Sequence, residues 1–343
     1  MVTALQEKAL EAIGSPRVFD THVHFPWGED RDRAEATDEL VERCHRLNIV
    51  RVALLGSRWA DYNDRVAAAV QAHPDLFVGM YGVELERDSP HSIRDAHARG
   101  FRGLKIIHAL QNYDDQEYWP IYAEAERLGM VCLFHTGVVG GGVDFRDTDP
   151  FDIDVVRRTR FWEKRAAGQG FSSAHMDPIF LDSLAFTFPR LRIIGAHLGV
   201  GQYDYACHIA RWRRNVFWDV SGGELVRRHA FERKLIGPEI SPFKLVFGSD
   251  CEDDRMGEEI ANWNAVFDLL RLTPEQRDRI FYGTAARIFA VDEFDGVTDE
   301  ASFDAIWSED EAKPVDPDAG GTELAPLEDE PDAGGSVMES FRV

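Results

Sequence analysis

The stretch VFDTHVH at residues 18–24 is a short apolar run that ends in two histidines spaced two positions apart. Side chains alternate between the two faces of a strand, so His22 and His24 would point in the same direction. Two imidazoles aimed at one point suit a divalent metal ion, because histidine is the commonest metal ligand in proteins. This spacing also arises by chance in a chain of 343 residues, so the interpretation depends on the rest of the sequence.

Seven further apolar and β-branched runs follow, and stretches with helical periodicity lie between them. The eight runs are Val18–His24, Val50–Gly56, Leu76–Glu84, Gly103–His108, Met130–His135, Leu191–His197, Val216–Val220 and Leu245–Asp250. The helical stretches are Thr37–Leu47, Asp64–Ala72, Ser92–Arg99, Trp119–Leu128, Pro178–Phe188, Tyr205–Trp212 and Met256–Leu270, with a last helix starting at Thr273-Pro274. Alternating strands and helices predict a parallel α/β fold, and eight units over about 270 residues predict a (β/α)8 TIM barrel.

A doubly wound open sheet is the alternative fold. It is disfavoured because no Gly-x-Gly-x-x-Gly turn follows the first run. The longest connection, about residues 137–176, follows the fifth run. Loops of this length in compact domains are often lids or binding loops. In a TIM barrel this loop would lie on the face where active sites form.

The net charge of −23 argues against nucleic acid or an anionic membrane as a partner. Most of this charge lies in residues 292–343, which hold 17 Asp and Glu residues but only Lys313 and Arg342 as basic residues. The same segment is rich in Pro and Gly and repeats PDAGG at 317–321 and 331–335. We therefore expect residues 1–291 to form the barrel and residues 292–343 to be an acidic, mostly disordered tail.

The remaining composition indicates a cytoplasmic protein. No run of 18 apolar residues occurs, and residues 1–17 lack the apolar core of a signal peptide. The cysteines are scattered and form no Cys-x-x-Cys motif, which is typical of a reduced compartment. We expect the four to be small core residues or residues without a chemical role: Cys44, Cys132, Cys207 and Cys251.

Four of the eight runs end in a side chain that can bind a metal ion or transfer a proton. Besides the first run, these are the fifth with His135, the sixth with His197 and the eighth with Asp250. The carboxyl ends of barrel strands converge on one pocket, and alternation along each run predicts that these three side chains face inward. A single strand-end histidine is more often a buried residue with satisfied hydrogen bonds. Agreement among four strand ends predicts a metal centre.

At this point the sequence resembles the amidohydrolase superfamily, within it the amidohydrolase-related group of small-molecule hydrolases and aminocarboxymuconate-semialdehyde decarboxylase-like enzymes. The similarity spans about residues 17–290. It rests on the stretches Phe19–His24, Gly103–His108, Leu133–Gly137, Ile194–Gly199, Val246–Asp250 and Gly283–Phe289, the last with Thr284 where Asn is more common. These motifs are specific to the superfamily and not to one reaction.

The resemblance implies a role for each strand-end residue. His22, His24 and His135 look like ligands of one divalent metal ion, with Zn²⁺ expected and Mn²⁺ or a binuclear site as alternatives. Asp250 looks like the last ligand and a proton acceptor, while His197 looks like the histidine that orients or deprotonates the bound water or polarises the substrate. Three neutral imidazoles leave the cation its charge, which brings the pKa of a bound water to about 7.

Lys105 lies within the fourth run, three residues before His108. Some members of the superfamily carry a carboxylated lysine that bridges two metal ions at the end of this strand. Strand alternation turns Lys105 and His108 in opposite directions, so only one of them would serve the site. Because burying an unpaired ammonium is costly, we expect Lys105 to face the pocket, where it binds a substrate anion or supports the ligands of one metal ion.

Other side chains are weaker candidates for contact with the substrate. His175 lies at the end of the long loop, and Arg58 and Trp27 follow the second and first runs. Asp177 could simply cap the following helix. An arginine of the long loop could clamp a substrate carboxylate, although solvated helix faces explain these residues equally well: Arg146, Arg157, Arg158, Arg160 and Arg165.

The sequence leads to a metal-dependent hydrolase that cleaves an amide, lactone or similar bond in a small polar molecule. The alternative is a non-oxidative decarboxylase of an aromatic or unsaturated acid. Decarboxylase relatives typically continue after the sixth-strand histidine with Phe-Pro and Gly-Arg, whereas this chain reads LGVGQYDY at 198–205. A third interpretation is a non-catalytic metal-binding scaffold that acts through its acidic tail. A small-molecule partner and a homodimer complete the expectations.

Overall fold

The computed structural model describes residues 16–25, 33–58, 61–140, 145–146, 148–157, 159, 170–251 and 255–289. Several predictions fall outside these described residues. They concern Trp27, the loop arginines Arg158, Arg160 and Arg165, and the acidic tail over residues 292–343.

Eight parallel strands form one sheet in which each strand pairs with the next along the chain. They are β1 Val18–His24, β2 Ile49–Leu55, β3 Phe77–Gly82, β4 Phe101–Ile106, β5 Val131–Phe134, β6 Arg192–Gly195, β7 Val216–Asp219 and β8 Leu245–Val246. The first and last strands are joined by backbone hydrogen bonds from Thr21 N–H to the Phe247 carbonyl (2.9 Å) and from Asp250 N–H to the His22 carbonyl (2.8 Å). The predicted (β/α)8 TIM barrel is confirmed.

Helices connect the strands and surround the sheet. They are Arg33–Arg46, Tyr62–Ala72, Pro90–Ala98, Trp119–Arg127, Phe180–Thr187, Tyr203–Trp212, Gly223–Glu232, Met256–Leu269, Pro274–Asp278 and Thr284–Phe289. The helix Pro274–Asp278 begins at a reciprocal cap, in which Thr273 Oγ1 accepts from Gln276 N–H and Gln276 Oε1 accepts from Thr273 N–H. The start predicted at Thr273 is therefore confirmed.

The sequence pattern missed the helix Gly223–Glu232 between β7 and β8. Two glycines precede and open this helix, with φ of 93° at Gly222 and 68° at Gly223. Glycine adopts these left-handed values readily, and a glycine pair in a sequence is typical of a loop. The backbone here makes a sharp left-handed turn and then enters the helix directly.

The barrel interior is apolar before the strand ends. Phe19, Leu133, Ile194 and Val246 pack together inside it, and Phe289 from the helix Thr284–Phe289 packs on Phe19 with 5.2 Å between ring centroids. A larger apolar layer lies between the sheet and the surrounding helices. The polar residues at the strand ends therefore lie beyond this apolar interior, at the carboxyl end of the barrel.

The expected inward parity along the sixth run is wrong. Ile194 packs inside the barrel whereas Ile193 packs in the outer layer, so alternation alone would turn His197 outward. The strand ends at Gly195, and the chain then turns at His197 and Leu198, where φ is 58° and 52°. This left-handed turn brings the His197 imidazole back over the carboxyl end of the barrel.

The cysteine prediction agrees with the structure, since all four cysteines are buried and free of disulfides. Burial raises the pKa of the Cys207 thiol to about 11, which makes it a poor nucleophile. None of the described helices has both the length and the hydrophobicity that crossing a membrane requires.

Candidate metal centre

His22, His24 and Asp250 meet at the carboxyl end of the barrel. The Nε2 atoms of the two histidines lie 3.1 Å and 3.2 Å from the same Asp250 oxygen, Oδ1. The register of β1 shifts between Asp20 and Val23, which allows both Phe19 and His22 to face the barrel interior. Ligand atoms bound at about 2.1 Å to one ion lie about 3.0–3.4 Å apart, so the three side chains have the spacing of a shared coordination shell.

His135 and His197 stand beside this group. His135 follows β5, and its Nδ1 atom lies 3.1 Å from His197 Nε2. The His197 and His22 rings are 5.3 Å apart between centroids. His135 Nε2 is buried and has no hydrogen-bond partner among the described residues. Buried polar atoms nearly always have a hydrogen-bond partner. A buried imidazole nitrogen without one has a lone pair that can bind a metal ion.

Asp219 and Ser221, at the end of β7, belong to the same network and were not among the predicted site residues. Asp219 Oδ2 accepts a hydrogen bond from His22 Nδ1 at 2.8 Å. Ser221 Oγ lies 2.8 Å from His197 Nδ1 and also contacts Asp219 Oδ1. The signal was present in the sequence, because Asp219 lies at the end of the seventh run, Val216–Val220, just as other runs end in His or Asp, and Ser221 follows it directly. A strand-end carboxylate is a candidate even without a histidine beside it.

Burial keeps two of the imidazoles neutral. It lowers the pKa of His135 well below the ordinary histidine value, and the neighbouring His197 and Lys105 lower it further. It also lowers the pKa of His197 to about 4, against the attraction of Asp250. Neutral imidazole is the form that binds a metal ion, so both rings are in the appropriate state at pH 7.

The carboxylates favour positive charge at the centre of the site. Burial would raise the pKa of Asp250, but His22 and His197 outweigh it and hold that pKa well below the ordinary value. Burial and Lys105 would lower the pKa of His22, yet attraction to Asp250 and Asp219 raises it. Asp250 is therefore ionised, and the position around His22 Nε2 stabilises a cation.

These observations fit the divalent metal ion that the sequence predicts. The donor set of three imidazoles and one carboxylate suits Zn²⁺ or another first-row ion. His22, His24 and Asp250 form a group whose ligand atoms lie close enough together to share an ion. The residues present therefore fit a metal ion at this group, and the unpartnered His135 Nε2 nearby is the further ligand that the sequence predicts.

Lys105 faces the pocket, as expected from the cost of burying it elsewhere. Its side chain is buried, and its Nζ lies 3.0 Å from His22 Nε2. Burial lowers the pKa of Lys105 to about 8, while Asp250 and Asp219 oppose the shift. A cation at His22 Nε2 would repel the ammonium form, so an ion bound there requires Lys105 to turn away, lose its proton or become carboxylated.

His108 and His175 lie on neighbouring loops at the ends of β4 and β5. The His108 ring packs against Phe171 at 4.5 Å between centroids, and His175 Nδ1 lies 3.1 Å from the Ala109 carbonyl oxygen. Asp177 accepts a hydrogen bond from Ile179 N–H, so its carboxylate stabilises the turn before the helix Phe180–Thr187. His175 is thus at the rim of the barrel and does not join the cluster around His22.

The arginine candidates have acidic neighbours of their own. Arg58 follows β2, and its charged neighbours include Glu84 and Glu86 beyond β3. Arg146 pairs with Glu224 at 2.5 Å, and Arg157 pairs with Asp154 at 3.1 Å. The last two arginines are exposed, which agrees with solvated loop and helix surfaces as their explanation.

Solved structures with the same architecture include enzymes of two reaction types. A probable 2-pyrone-4,6-dicarboxylic acid hydrolase from Acinetobacter baumannii, with citric acid bound, is 14% identical, and the match covers 80% of this chain and 99% of that one with a TM-score of 0.52. The 5-carboxyvanillate decarboxylase from Sphingomonas paucimobilis is 18% identical over 81% of this chain and 100% of that one, with a TM-score of 0.54. The corresponding enzyme from Novosphingobium aromaticivorans, complexed with manganese, is 17% identical over 81% and 97%, with a TM-score of 0.52.

Identities this low show the shared fold and nothing finer. The family assignment comes from the sequence itself, because the amidohydrolase family profile matches residues 19–291, from the second residue of β1 to beyond the last helix. This match includes every strand-end histidine and Asp250. The chain belongs to the amidohydrolase family of metal-dependent enzymes.

Proposed function

We propose that the chain is a metal-dependent hydrolase that cleaves an amide, lactone or similar bond in a small polar molecule. One observation carries this proposal. His22 and His24 from β1 both lie within 3.2 Å of Asp250 Oδ1, and the nearby His135 Nε2 has no hydrogen-bond partner among the described residues. A bound Zn²⁺ or Mn²⁺ would polarise a substrate carbonyl and lower the pKa of a coordinated water.

The residues of the chain have separate tasks in this proposal. His22, His24, His135 and Asp250 would hold the ion. Asp250 is ionised and lies at the centre of the group, so its second oxygen can accept a proton from a water molecule positioned beside it. His197 is neutral and fixed by Ser221, so it can orient a ligand without adding charge.

A carboxylate on the substrate is the specificity feature that we propose. Lys105 on β4 is buried within the pocket, and Arg58 follows β2, which is separated from β4 by β3. A substrate anion would compensate the Lys105 ammonium once that group has turned away from the metal position. Two of the similar structures support the same chemistry, since their names describe a dicarboxylic acid hydrolase and a carboxyvanillate decarboxylase.

Non-oxidative decarboxylation is the second candidate function, because the same cage could serve it. The observation that favours it is the likeness to two carboxyvanillate decarboxylases, one of them complexed with manganese. Hydrolysis remains the preferred reaction because the loop after His197 departs from the Phe-Pro and Gly-Arg pattern of decarboxylase relatives. A cytoplasmic location, a homodimer and zinc as the ion stay predictions of the sequence.

The first experiment measures metal content by mass spectrometry in the wild type and in a His22→Ala/His24→Ala variant. About one Zn²⁺ or Mn²⁺ per chain, lost in the variant, would support the proposed mononuclear centre. His91→Ala/His208→Ala is the matched control, because both histidines are exposed on helices. Two ions per chain would instead favour a carboxylated Lys105. No metal after reconstitution would contradict the proposal.

The second experiment separates the two reactions. Candidate carboxylic acids, lactones and amides are incubated with the loaded enzyme, and both carbon dioxide release and consumption of the bond are recorded. Hydrolysis yields an acid and an amine or alcohol without carbon dioxide, whereas decarboxylation releases one carbon dioxide per turnover. Loss of turnover in Asp250→Asn with retention of the fold by circular dichroism would support the role assigned to Asp250.

A further inference from the structure

Asp219 is the point at which two hydrogen-bond paths of the candidate metal centre end. The residue is fully buried at the end of β7. Its Oδ2 lies 2.8 Å from His22 Nδ1. Its Oδ1 accepts from His197 N–H at 2.8 Å, from Ser221 N–H at 3.0 Å and from the Ser221 hydroxyl. Asp219 has no place in the ligand set proposed above.

The first path fixes the proton on His22. Asp219 Oδ1 accepts three hydrogen bonds, two from backbone N–H groups and one from the Ser221 hydroxyl, and this is the environment of an ionised carboxylate. An ionised carboxylate can only accept hydrogen bonds. The hydrogen between the two side chains must therefore be on His22 Nδ1. With Nδ1 committed to Asp219, His22 Nε2 is the nitrogen that faces Asp250 Oδ1 at 3.1 Å, and it is the one that a metal ion would take.

The second path reaches His135 through two intermediate groups. The Ser221 hydroxyl gives its proton to Asp219 Oδ1, so Ser221 Oγ must accept from His197 Nδ1 at 2.8 Å. The proton on His197 Nδ1 leaves His197 Nε2 as an acceptor, and the hydrogen bond at 3.1 Å then requires a proton on His135 Nδ1. His135 Nε2 is left with its lone pair, and this is the buried atom without a hydrogen-bond partner among the described residues.

We propose that Asp219 is a positioning residue that fixes a proton on Nδ1 of His22, His197 and His135, so that His22 and His135 both turn Nε2 toward one ion. The inference rests on the proposed metal centre for its purpose, but the protons on the three Nδ1 atoms are a property of the metal-free protein as well. Without Asp219, each ring would be free to place its proton on the nitrogen that faces the ion.

An Asp219→Asn variant changes the pattern in a defined way. The backbone N–H groups of His197 and Ser221 cannot reverse their polarity, so the asparagine oxygen must stay on their side. The amide nitrogen then faces His22 and donates to its Nδ1. His22 is forced to carry its proton on Nε2, where it cannot bind a metal ion. We expect metal affinity to fall by about 10-fold to 100-fold, the usual effect of removing a partner that orients a ligand.

Asp20→Asn is the matched control. Asp20 is also fully buried and also accepts a hydrogen bond from His22, but from the backbone N–H at 3.1 Å rather than from the ring. Its Oδ1 accepts a second backbone bond, from Ser249 N–H at 2.9 Å. An asparagine oxygen can keep both bonds, so the His22 ring should be undisturbed. We expect metal affinity close to the wild-type value.

Metal affinity is measured by competition with a chromophoric chelator, using Zn²⁺ alone and no substrate. Loss of affinity in Asp219→Asn but not in Asp20→Asn would support the inference. Equal Zn²⁺ affinities in Asp219→Asn and Asp20→Asn would overturn the inference. If both were lowered, the loss would come from changing any buried carboxylate near His22, and if neither were lowered, Asp219 would not orient the ligands. Ser221→Ala breaks only the path to His197 and His135, so a smaller loss is expected there.

The histidine tautomers can also be observed directly in the wild-type protein. This experiment does not depend on whether a variant folds. Two-bond ¹⁵N–¹H correlation spectra of the metal-free, ¹⁵N-histidine-labelled protein are recorded over a pH series that extends well above neutrality, because attraction to Asp250 and Asp219 raises the pKa of His22. The inference requires Nδ1–H signals for His22, His135 and His197. An Nε2–H tautomer at any of them would overturn it. A protein that shows the required tautomers but binds no Zn²⁺ would instead refute the proposed function and leave the positioning network intact.

Discussion

A Gly248→Ala substitution should disturb the metal centre without removing any ligand. Gly248 lies between β8 and Asp250 and has no room for a side chain. A methyl group there would stand 2.8 Å from the Cβ atom of His22 and 3.4 Å from the Cβ and Cγ atoms of Asp219. The added methyl group would therefore clash with His22, which we expect to be a metal ligand, and crowd Asp219, which orients His22.

The size of the effect depends on these distances. Carbon atoms in ordinary contact are about 3.5–4.0 Å apart, so His22 would have to move by at least about 0.7 Å. The strands cannot separate easily, because Asp250 N–H donates to the His22 carbonyl at 2.8 Å. Functional geometry tolerates displacements of only about 0.5 Å. We expect at least a 10-fold loss of Zn²⁺ affinity and a loss of about 1–3 kcal/mol in the free energy of unfolding.

Chelator competition measures the affinity, and urea unfolding in the presence of a chelator measures the stability of the metal-free fold. Gly140→Ala is the control, since a methyl group there meets no atom of the described chain within 4 Å. Wild-type affinity and an unchanged urea midpoint for Gly248→Ala would refute the reasoning. Such a result would mean that β1 and β8 can separate at little cost, and that the positions of His22 and Asp219 are not fixed by this contact.

Three further predictions concern the stability of the barrel. Gly195→Ala should cost about 1–3 kcal/mol in urea unfolding, because the new Cβ would lie 2.2 Å from the buried ring of Trp218. Burial lowers the pKa of Lys244 to about 8. Between this value and the ordinary 10.5 the unfolded chain binds more protons than the folded one, so stability should rise with pH, by about 2 kcal/mol from pH 7 to pH 10. Lys244→Met should show a rise that is smaller by this amount in parallel urea titrations, since the contribution of Lys105, whose pKa is also about 8, remains. Arg227→Ala should cost about 3 kcal/mol because it leaves the buried Glu259 carboxylate with only the exposed Arg255, at 3.6 Å, whereas replacing Arg227 and Glu259 with Met and Leu should be nearly neutral by the same assay.

The strands were predictable because each is a local pattern with a strong physical cause. The β1 prediction matches the observed bounds Val18–His24, and the other runs each overlap one strand. Parallel barrel strands are buried on both faces, so they have continuous apolar sequences. The helix Gly223–Glu232 was not predicted, because a glycine pair indicates a turn and carries no information about the type of element after that turn.

The network behind the candidate ligands was less predictable than the ligands themselves. Histidines at strand ends are rare and conspicuous, so His22, His24 and His135 stand out in a sequence. Asp219 carries the same positional signal, but an aspartate after a strand is also an ordinary turn or cap residue. Only its burial and its hydrogen bonds to His22 distinguish it, and both depend on strands far apart in the chain.

The parity error along the sixth run shows why strand alternation cannot place such a site alone. Non-glycine residues with φ near 60° occur just beyond β4, β6 and β8, at His108, His197 and Asp250. Each such residue costs on the order of 1 kcal/mol and persists only where other contacts hold it. Two of these contacts belong to the site, because His197 N–H donates to Asp219 and Asp250 N–H donates to the His22 carbonyl. The groups that orient the candidate ligand His22 therefore also stabilise the turns that aim the neighbouring side chains. A substitution at Asp219 should consequently change the turns at both His197 and Asp250. Local sequence patterns cannot show this coupling.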